Sequence, residues 1–137
     1  MRDSLMNREI KFRGKSVKSG KWVYGSYIHF VSNNPQWLIE SHDILPKHSL
    51  TEFPVIPETV GEYTGLKDKN GKDLDWWEGD LMQEPGGPVK QIIKEQGCFW
   101  LVWPKHPACK QPLYSVVDWA GSIARIGNVH QHPELLK

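Results

Sequence analysis

Hydrophobic and polar residues alternate with period two in several short stretches of the chain. Ile10 and Phe12, for example, are separated by Lys11 and flanked by Glu9 and Arg13. Such alternation places successive side chains on opposite faces of a strand, so it predicts a first β-hairpin that joins residues 8–13 to residues 21–30. The 12 Gly and 10 Pro residues leave little room for helices of average length.

Further short stretches predict strands or extended segments separated by turn residues. They are residues 37–40, 54–57, 91–94, 98–103, 114–119 and 122–129. The stretches on either side of Glu95-Gln96-Gly97 predict a second hairpin, whereas a helix over residues 89–96 is the competing interpretation and Gly97 disfavours it. We interpret the polar stretch 41–52 as a connecting segment.

Together these elements predict one mostly β domain of short, twisted antiparallel strands and hairpins with little helix. A barrel-like closure is one arrangement that they allow. A chain of 137 residues fits a single domain, which we place at residues 7–137. Residues 1–6 are expected to be a disordered extension, because Met6 begins a second plausible start. The expected core includes Ile10, Phe12, Trp22, Tyr24, Val60, Tyr63, Leu66, Leu81, Phe99, Leu101, Ile123 and Ile126.

Composition narrows the class of function. The formal net charge is +1, so no global field attracts nucleic acid or an anionic membrane. Cys98 and Cys109 form no C-x-x-C pair, which predicts reduced, buried or half-buried thiols. No stretch approaches the about 18 apolar residues of a membrane span, and we therefore expect a soluble cytoplasmic protein.

The most informative stretch is residues 58–80, which contains a turn followed by an acidic segment. Asn70 and Gly71 tolerate the positive φ that a type I′ turn requires at both central positions. With Asp68 preceding them, they form the signature turn of this stretch and predict a β-hairpin.

Five blocks of sequence in order carry a resemblance to a known family. They are residues 8–15, 22–25, 58–71, Glu78-Gly79-Asp80, and 126–129 with 133–136. The chain resembles the YopX family of bacteriophage and prophage proteins. The resemblance implies a mostly β fold and an origin in phage, prophage or other mobile DNA, and it supplies no catalytic residue.

The chain departs from the family pattern between the turn and Glu78-Gly79-Asp80. Residues 72–77 are about two residues longer there, and an even insertion preserves which side chains face inward. We expect the extra length to push Asp75 and Trp76 outward. Because adjacent strand residues face opposite ways, one of Trp76 and Trp77 should be buried and the other exposed. The candidate interaction surface is therefore Asp75, Trp76, Trp77, Glu78 and Asp80.

Two other functions use the same segment. Trp76 and Trp77 could stack on single-stranded nucleic acid beside Lys67, Lys69 and Lys72, but the neighbouring carboxylates oppose phosphate. A small hydrolase could instead use Asp80 with neighbouring carboxylates for acid-base catalysis. Those neighbours are Glu58, Glu62, Asp73, Asp75 and Glu78.

Metal sites receive little support from the sequence. A calcium loop aligned on Gly71 places Leu66 and Trp77 at the two anchoring acidic positions. His130 and His132 would share a face if they lay on a strand, but no third ligand lies nearby and Pro133 follows. We therefore predict no metal, no cofactor and no catalytic residue. The expected function is a non-catalytic phage or prophage accessory role, in which the chain binds a protein partner from host or phage.

Overall fold

The computed structural model describes residues 9–32 and 40–136, which are mostly β as predicted. The strands are β1 (Phe12–Lys15), β2 (Trp22–Val31), β3 (Glu40–Pro46), β4 (Phe53–Pro54), β5 (Gly61–Glu62), β6 (Asp80–Gln83), β7 (Val89–Glu95), β8 (Cys98–Trp103), β9 (His106–Pro112) and β10 (Ala124–Asn128). Short 3₁₀ segments span Pro57–Thr59, Leu113–Ser122 and Pro133–Leu136. The chain divides into two compact units, which meet at Tyr63 and Thr64 in the sequence.

The first unit contains a five-stranded antiparallel sheet in the order β4-β3-β2-β1-β5. Its longest strand, β2, pairs with β1 on one side and with β3 on the other. Ile44, Val55 and Tyr63 are its most buried large apolar residues. Thr59 ties the 3₁₀ turn to the sheet, because its hydroxyl accepts the Lys15 N–H and donates to the Ile56 carbonyl.

The second unit contains a five-stranded antiparallel sheet in the order β10-β6-β7-β8-β9. Its core joins side chains of β6, β7 and β8 to the 3₁₀ segment Leu113–Ser122. The buried cluster is Trp76, Met82, Ile92, Leu101, Leu113, Val116 and Ile123. Leu113 and Val116 lie three positions apart, and that spacing aligns side chains on one side of a 3₁₀ helix.

Several predicted elements differ from the structure. Neither sheet closes into a barrel, and the first sheet ends at strands β4 and β5 of two residues each. The stretch 114–119 is 3₁₀ helix rather than strand, because Leu113 and Val116 set a period of three. Residues 41–46 belong to β3 rather than to a connection, since pairing with β2 overrides the weak strand propensity of Ser, His and Asp.

The predicted hairpins are largely present. β1 and β2 form the first hairpin, although β1 begins at Phe12. Residues 89–95 are strand, so the competing helix is wrong. Gln96 and Gly97 both have positive φ, at 53° and 80°, so the type I′ arrangement occurs in this hairpin.

The core prediction is correct for Tyr63, Leu81, Leu101 and Ile123, which are buried. Six further residues are half-buried, namely Phe12, Trp22, Val60, Leu66, Phe99 and Ile126. Ile10 and Tyr24 are exposed, at 68% and 46%, so their assignment to the core is wrong. Ile10 precedes β1 and therefore gains no strand partner that could cover it.

Other predictions concern the ends, the thiols and the membrane. The predicted disordered extension 1–6 and residues 37–39 of a predicted strand lie outside the described residues. Cys98 and Cys109 are free thiols as expected, but both are exposed rather than buried. No helix within residues 9–32 and 40–136 has the length and hydrophobicity needed to span a membrane. The single-domain and cytoplasmic assignments stay predictions.

The signature turn has a different geometry from the one predicted. Gly71 has a φ of +81°, whereas Asn70 does not have a positive φ, so the type I′ assignment is wrong. The loop instead matches a type I turn followed by a left-handed residue, because the Gly71 N–H donates to the Asp68 carbonyl oxygen at 3.0 Å. The Asp68 carboxylate also accepts the N–H groups of Asn70 and Lys72, both at 2.9 Å.

This geometry predicts unequal effects of substitution at the two turn residues. Gly71→Ala forces a side chain into the left-handed region and should lower the free energy of unfolding by about 1–2 kcal/mol. Asn70→Ala keeps the backbone donor and should change it by less than about 0.5 kcal/mol. Chemical denaturation of both variants measures the difference, and equal losses would show that Asn70 is also strained.

Candidate functional site

Glu78-Gly79-Asp80 lies at a tight turn that leads into β6. The Asp80 N–H donates to the Trp77 carbonyl oxygen at 3.0 Å, and Gly79 has a φ of +96°, as the third residue of a type II turn requires. The Trp77 N–H donates in return to Oδ2 of Asp80 at 2.9 Å. Asp80 therefore closes this turn twice, through its backbone N–H and through its side-chain carboxylate.

The carboxylate of Asp80 is buried, with 1% of the residue exposed, and it faces Arg125 on β10. Nη1 of Arg125 lies 3.3 Å from Oδ2 of Asp80. An ionised carboxylate is costly to bury unless it is paired and hydrogen-bonded. Arg125 and the Trp77 N–H provide those partners.

Arg125 also holds the segment that precedes the turn. Its Nη1 donates to the Asp75 carbonyl oxygen, and its Nη2 lies 3.7 Å from Oδ2 of Asp75. The indole Nε1–H of Trp77 donates to Oδ1 of Asp75 at 2.9 Å. We call Asp75, Trp77, Asp80 and Arg125 the acid-arginine cluster.

Both tryptophans of the candidate surface are buried, Trp76 at 5% and Trp77 at 3% exposure. The prediction that one of them is exposed is therefore wrong. Asp75 has a φ of +52°, so the chain is not regularly extended there and adjacent side chains need not face opposite ways. Of the remaining candidates, Asp75 is exposed, Glu78 is half-buried and Asp80 is buried.

The segments on either side of the signature turn pair with each other without a register shift, and the extra length relative to the family pattern stays a prediction. Lys67 pairs with Asp73, the Leu74 N–H donates to the Leu66 carbonyl, and the Thr64 N–H donates to the Trp76 carbonyl. The two arms stay in one register from the turn to Trp76. The arm after the turn places Trp76 in the core, whereas Asp75 is exposed.

The structure removes the proposed nucleic-acid platform and gives the positions of the carboxylates suggested for a hydrolase. The buried rings of Trp76 and Trp77 cannot form the stacking platform suggested for single-stranded nucleic acid, although Lys67, Lys69 and Lys72 are exposed. Asp75 and Asp80 are both held by Arg125. Of the other suggested carboxylates, Glu62 is buried, whereas Glu58 and Asp73 are exposed.

His130 and His132 lie in a turn after β10 rather than on a strand. Asn128 organises this turn, because its Oδ1 accepts the N–H groups of His130 and Gln131, both at 2.9 Å. The Asn128 backbone N–H donates a hydrogen bond to Nδ1 of His132 at 3.2 Å. The shared-face geometry expected for a metal pair is therefore not present.

Two features of the structure were missed in the sequence. One is the cluster of His29, Glu40 and His42 on the first sheet. It depends on the pairing of β2 with β3, and most of β3 lies in the segment interpreted as a connection. The other is Trp119, which is 66% exposed. Trp119 lies three positions after Val116, a spacing that would place it on the buried side with Leu113 and Val116. Its φ and ψ of −109° and 20° are not helical, however, and the ring is exposed instead.

Two of the sequence blocks that resemble a known family lie beside each other in the second unit. β6 and β10 place Asp80 opposite Asn128, and the Val129 N–H donates to the Gly79 carbonyl, so two of the resembling blocks meet. The family model described as YopX protein matches residues 11–137. The chain belongs to the YopX family. A search of curated proteins finds no significant match. Those two blocks of the YopX chain make turns and strand pairs in the second unit.

The acid-arginine cluster should contribute to stability. Arg125→Ala removes the cation beside a buried carboxylate and should lower the free energy of unfolding by about 2 kcal/mol. Lys110→Ala is the matched control, because its ion pair with Glu95 is more exposed and should contribute less than about 1 kcal/mol. Equal losses in urea denaturation would contradict a structural role for the cluster.

Both tryptophans beside the turn should behave as core residues. Trp76→Ala and Trp77→Ala should each lower the free energy of unfolding by about 3–5 kcal/mol. Trp119→Ala removes an exposed ring and should change it by about 0.5 kcal/mol or less. Thermal or chemical denaturation of the three variants distinguishes these cases, and a small loss at Trp76 or Trp77 would place that ring at the surface.

Proposed function

We propose that this YopX family member is a non-catalytic accessory protein of a phage or prophage that binds a protein partner in the bacterial cytoplasm. The exposed ring of Trp119 is the observation that carries the proposal. Trp and Tyr are enriched among the residues that contribute most to protein interfaces. Tyr114, at 69% exposure, lies on the same 3₁₀ segment and supplies a second exposed ring.

The surroundings of Trp119 indicate the chemistry of the partner. Val116, Ile123, Glu84 and Ser122 line a small cleft of about 90 Å³ beside the ring. Asp118 is the exposed neighbour of Trp119 in the sequence. We therefore propose a protein surface with an apolar pocket for the indole and a nearby Lys or Arg for the acidic rim. The carboxylates disfavour nucleic acid at this surface, because they repel phosphate.

The acid-arginine cluster supports a role without catalysis. Asp75 and Asp80 share Arg125, and the oxygen atoms of both also accept hydrogen bonds from Trp77. A general acid or base must be within reach of a substrate proton, whereas Asp80 is buried inside its own turn. These contacts account for the carboxylates through folding alone.

A comparative pull-down from lysate of a bacterial host tests the proposal. Wild-type chain and Trp119→Ala are used as baits, with Leu50→Ala as the matched control, because Leu50 is fully exposed in the other unit. A protein retained by the wild type and by Leu50→Ala should bind Trp119→Ala about 30-fold more weakly, which corresponds to about 2 kcal/mol. Affinities are then measured with the purified partner.

Two results would contradict this function. Equal retention of every captured protein by Trp119→Ala would show that the ring is not the anchor. Loss of capture after nuclease treatment, with binding that falls steeply as salt is added, would identify nucleic acid as the ligand. Circular dichroism confirms that both variants are folded before the comparison.

A further inference from the structure

Strand pairing in the first sheet brings three possible metal ligands to one face. His29 on β2 lies directly opposite His42 on β3, and Val31 lies opposite Glu40. Residues two positions apart on a strand share a face, so Glu40 and His42 project to the same side. Directly opposite residues of an antiparallel pair are also neighbours on one face, which adds His29.

The side chains converge on a single carboxylate oxygen. Oε1 of Glu40 lies 2.8 Å from Nε2 of His29 and 3.2 Å from Nε2 of His42. The two imidazole rings stack with centroids 4.1 Å apart and an angle of 18° between their planes. Backbone pairing and ring stacking together hold the nitrogen atoms beside the carboxylate.

Tyr27 fixes the outer nitrogen of His42. The phenol oxygen lies 2.5 Å from Nδ1 of His42, and Phe12 packs against the Tyr27 ring at a centroid distance of 5.7 Å. A phenol hydroxyl can donate or accept a hydrogen bond, and it can therefore serve either tautomer of His42.

We propose that Nε2 of His29, Nε2 of His42 and a carboxylate oxygen of Glu40 bind one divalent transition-metal ion of the zinc class. Two imidazoles and one carboxylate form a donor set that zinc uses in proteins, with bonds of about 2.0–2.2 Å. Tetrahedral ligands at that distance lie about 3.4 Å from one another. The three ligand atoms already lie within 4.8 Å of one another, and the two imidazole rings must turn out of their stack so that both Nε2 lone pairs point at the ion.

Metal binding requires each Nε2 to present a lone pair in place of a proton. Without metal, each Nε2 lies beside Oε1 of Glu40, a carboxylate oxygen that accepts the Nε2–H, and Nδ1 of His42 lies beside the Tyr27 hydroxyl. With metal, each Nε2 lone pair binds the ion and the ring proton moves to Nδ1. The Nδ1–H of His42 then donates to the Tyr27 oxygen, which is the outer hydrogen bond that orients many metal-bound histidines.

The site is open to solvent and has a negative ligand available. Side-chain exposures are 42% for His29, 48% for Glu40 and 18% for His42, so an ion can reach all three. Glu40 supplies a carboxylate oxygen, which zinc accepts as a ligand in proteins. Three protein ligands leave a fourth position for water or for a donor atom from a partner.

No metal ligand is predicted from the sequence, in which His130 and His132 are the one close histidine pair. The structure motivates the opposite proposal from different histidines. His42 lies within the polar stretch 41–52 that the sequence predicts to be a connecting segment, whereas His29 lies in the predicted first hairpin. The two histidines lie opposite each other only because of the register between β2 and β3.

Isothermal titration calorimetry with Zn²⁺ on the tag-free full chain tests the site. Wild-type chain should bind about one ion, and His29→Gln or Glu40→Gln should weaken binding more than tenfold. His106→Gln is the matched control, because His106 is an exposed histidine in the second unit, and it should bind as the wild type does. Circular dichroism establishes that each variant is folded.

Tyr27→Phe tests the orienting role of the phenol and should weaken Zn²⁺ binding by about 10–100-fold without removing a ligand. Nitrogen NMR of the wild-type histidines provides a readout that needs no variant. Zn²⁺ should shift Nε2 of His29 and His42 and leave the other four of the six histidines unchanged. Undetectable binding, equal affinity in His29→Gln and wild type, or shifts confined to other histidines would overturn the proposal.

Discussion

Burial of the Asp80 carboxylate is the constraint on which the second unit depends. A charge that is 1% exposed requires compensation, and the chain provides it from the Trp77 backbone and from Arg125 on β10. The same contacts fix the turn before β6 and attach β10 to that strand. Gly79 permits the backbone conformation that the turn needs. The presence of Glu78-Gly79-Asp80 at this turn can therefore be explained by its role in folding, without a further function.

Local signals in the sequence predicted the type of element better than its geometry. Residues around Gln96-Gly97 and Asn70-Gly71 both form turns, but only the first pair has two positive φ angles. Asp68 accounts for the difference, because its carboxylate binds two backbone N–H groups and stabilises a three-residue loop. Which of these turns forms depends on hydrogen bonds that the dipeptide alone does not specify.

Tertiary contacts determine the features that sequence patterns could not predict. The alternation rule wrongly predicted that one of Trp76 and Trp77 is exposed, because Asp75 adopts a left-handed conformation and interrupts the extended backbone. The partnership of His29 with His42 depends on strand register, and a shift of one residue would place them on opposite faces. Nothing in the polar composition of β3 specifies that register. The sequence thus predicted a mostly β fold and several strands, but not the site that the pairing creates.

The two proposals use different units and different chemistry. Trp119 lies in the second unit and offers apolar area, whereas His29, Glu40 and His42 lie in the first and offer donor atoms. A substitution at one group removes no atom of the other, so the two groups can be tested by separate variants. A three-ligand metal centre with an open position can also accept a donor from another molecule. If both sites bind the same partner, removal of the metal and loss of the Trp119 indole should each weaken the binding of that partner. Making both changes together should then show whether the two losses of binding free energy add.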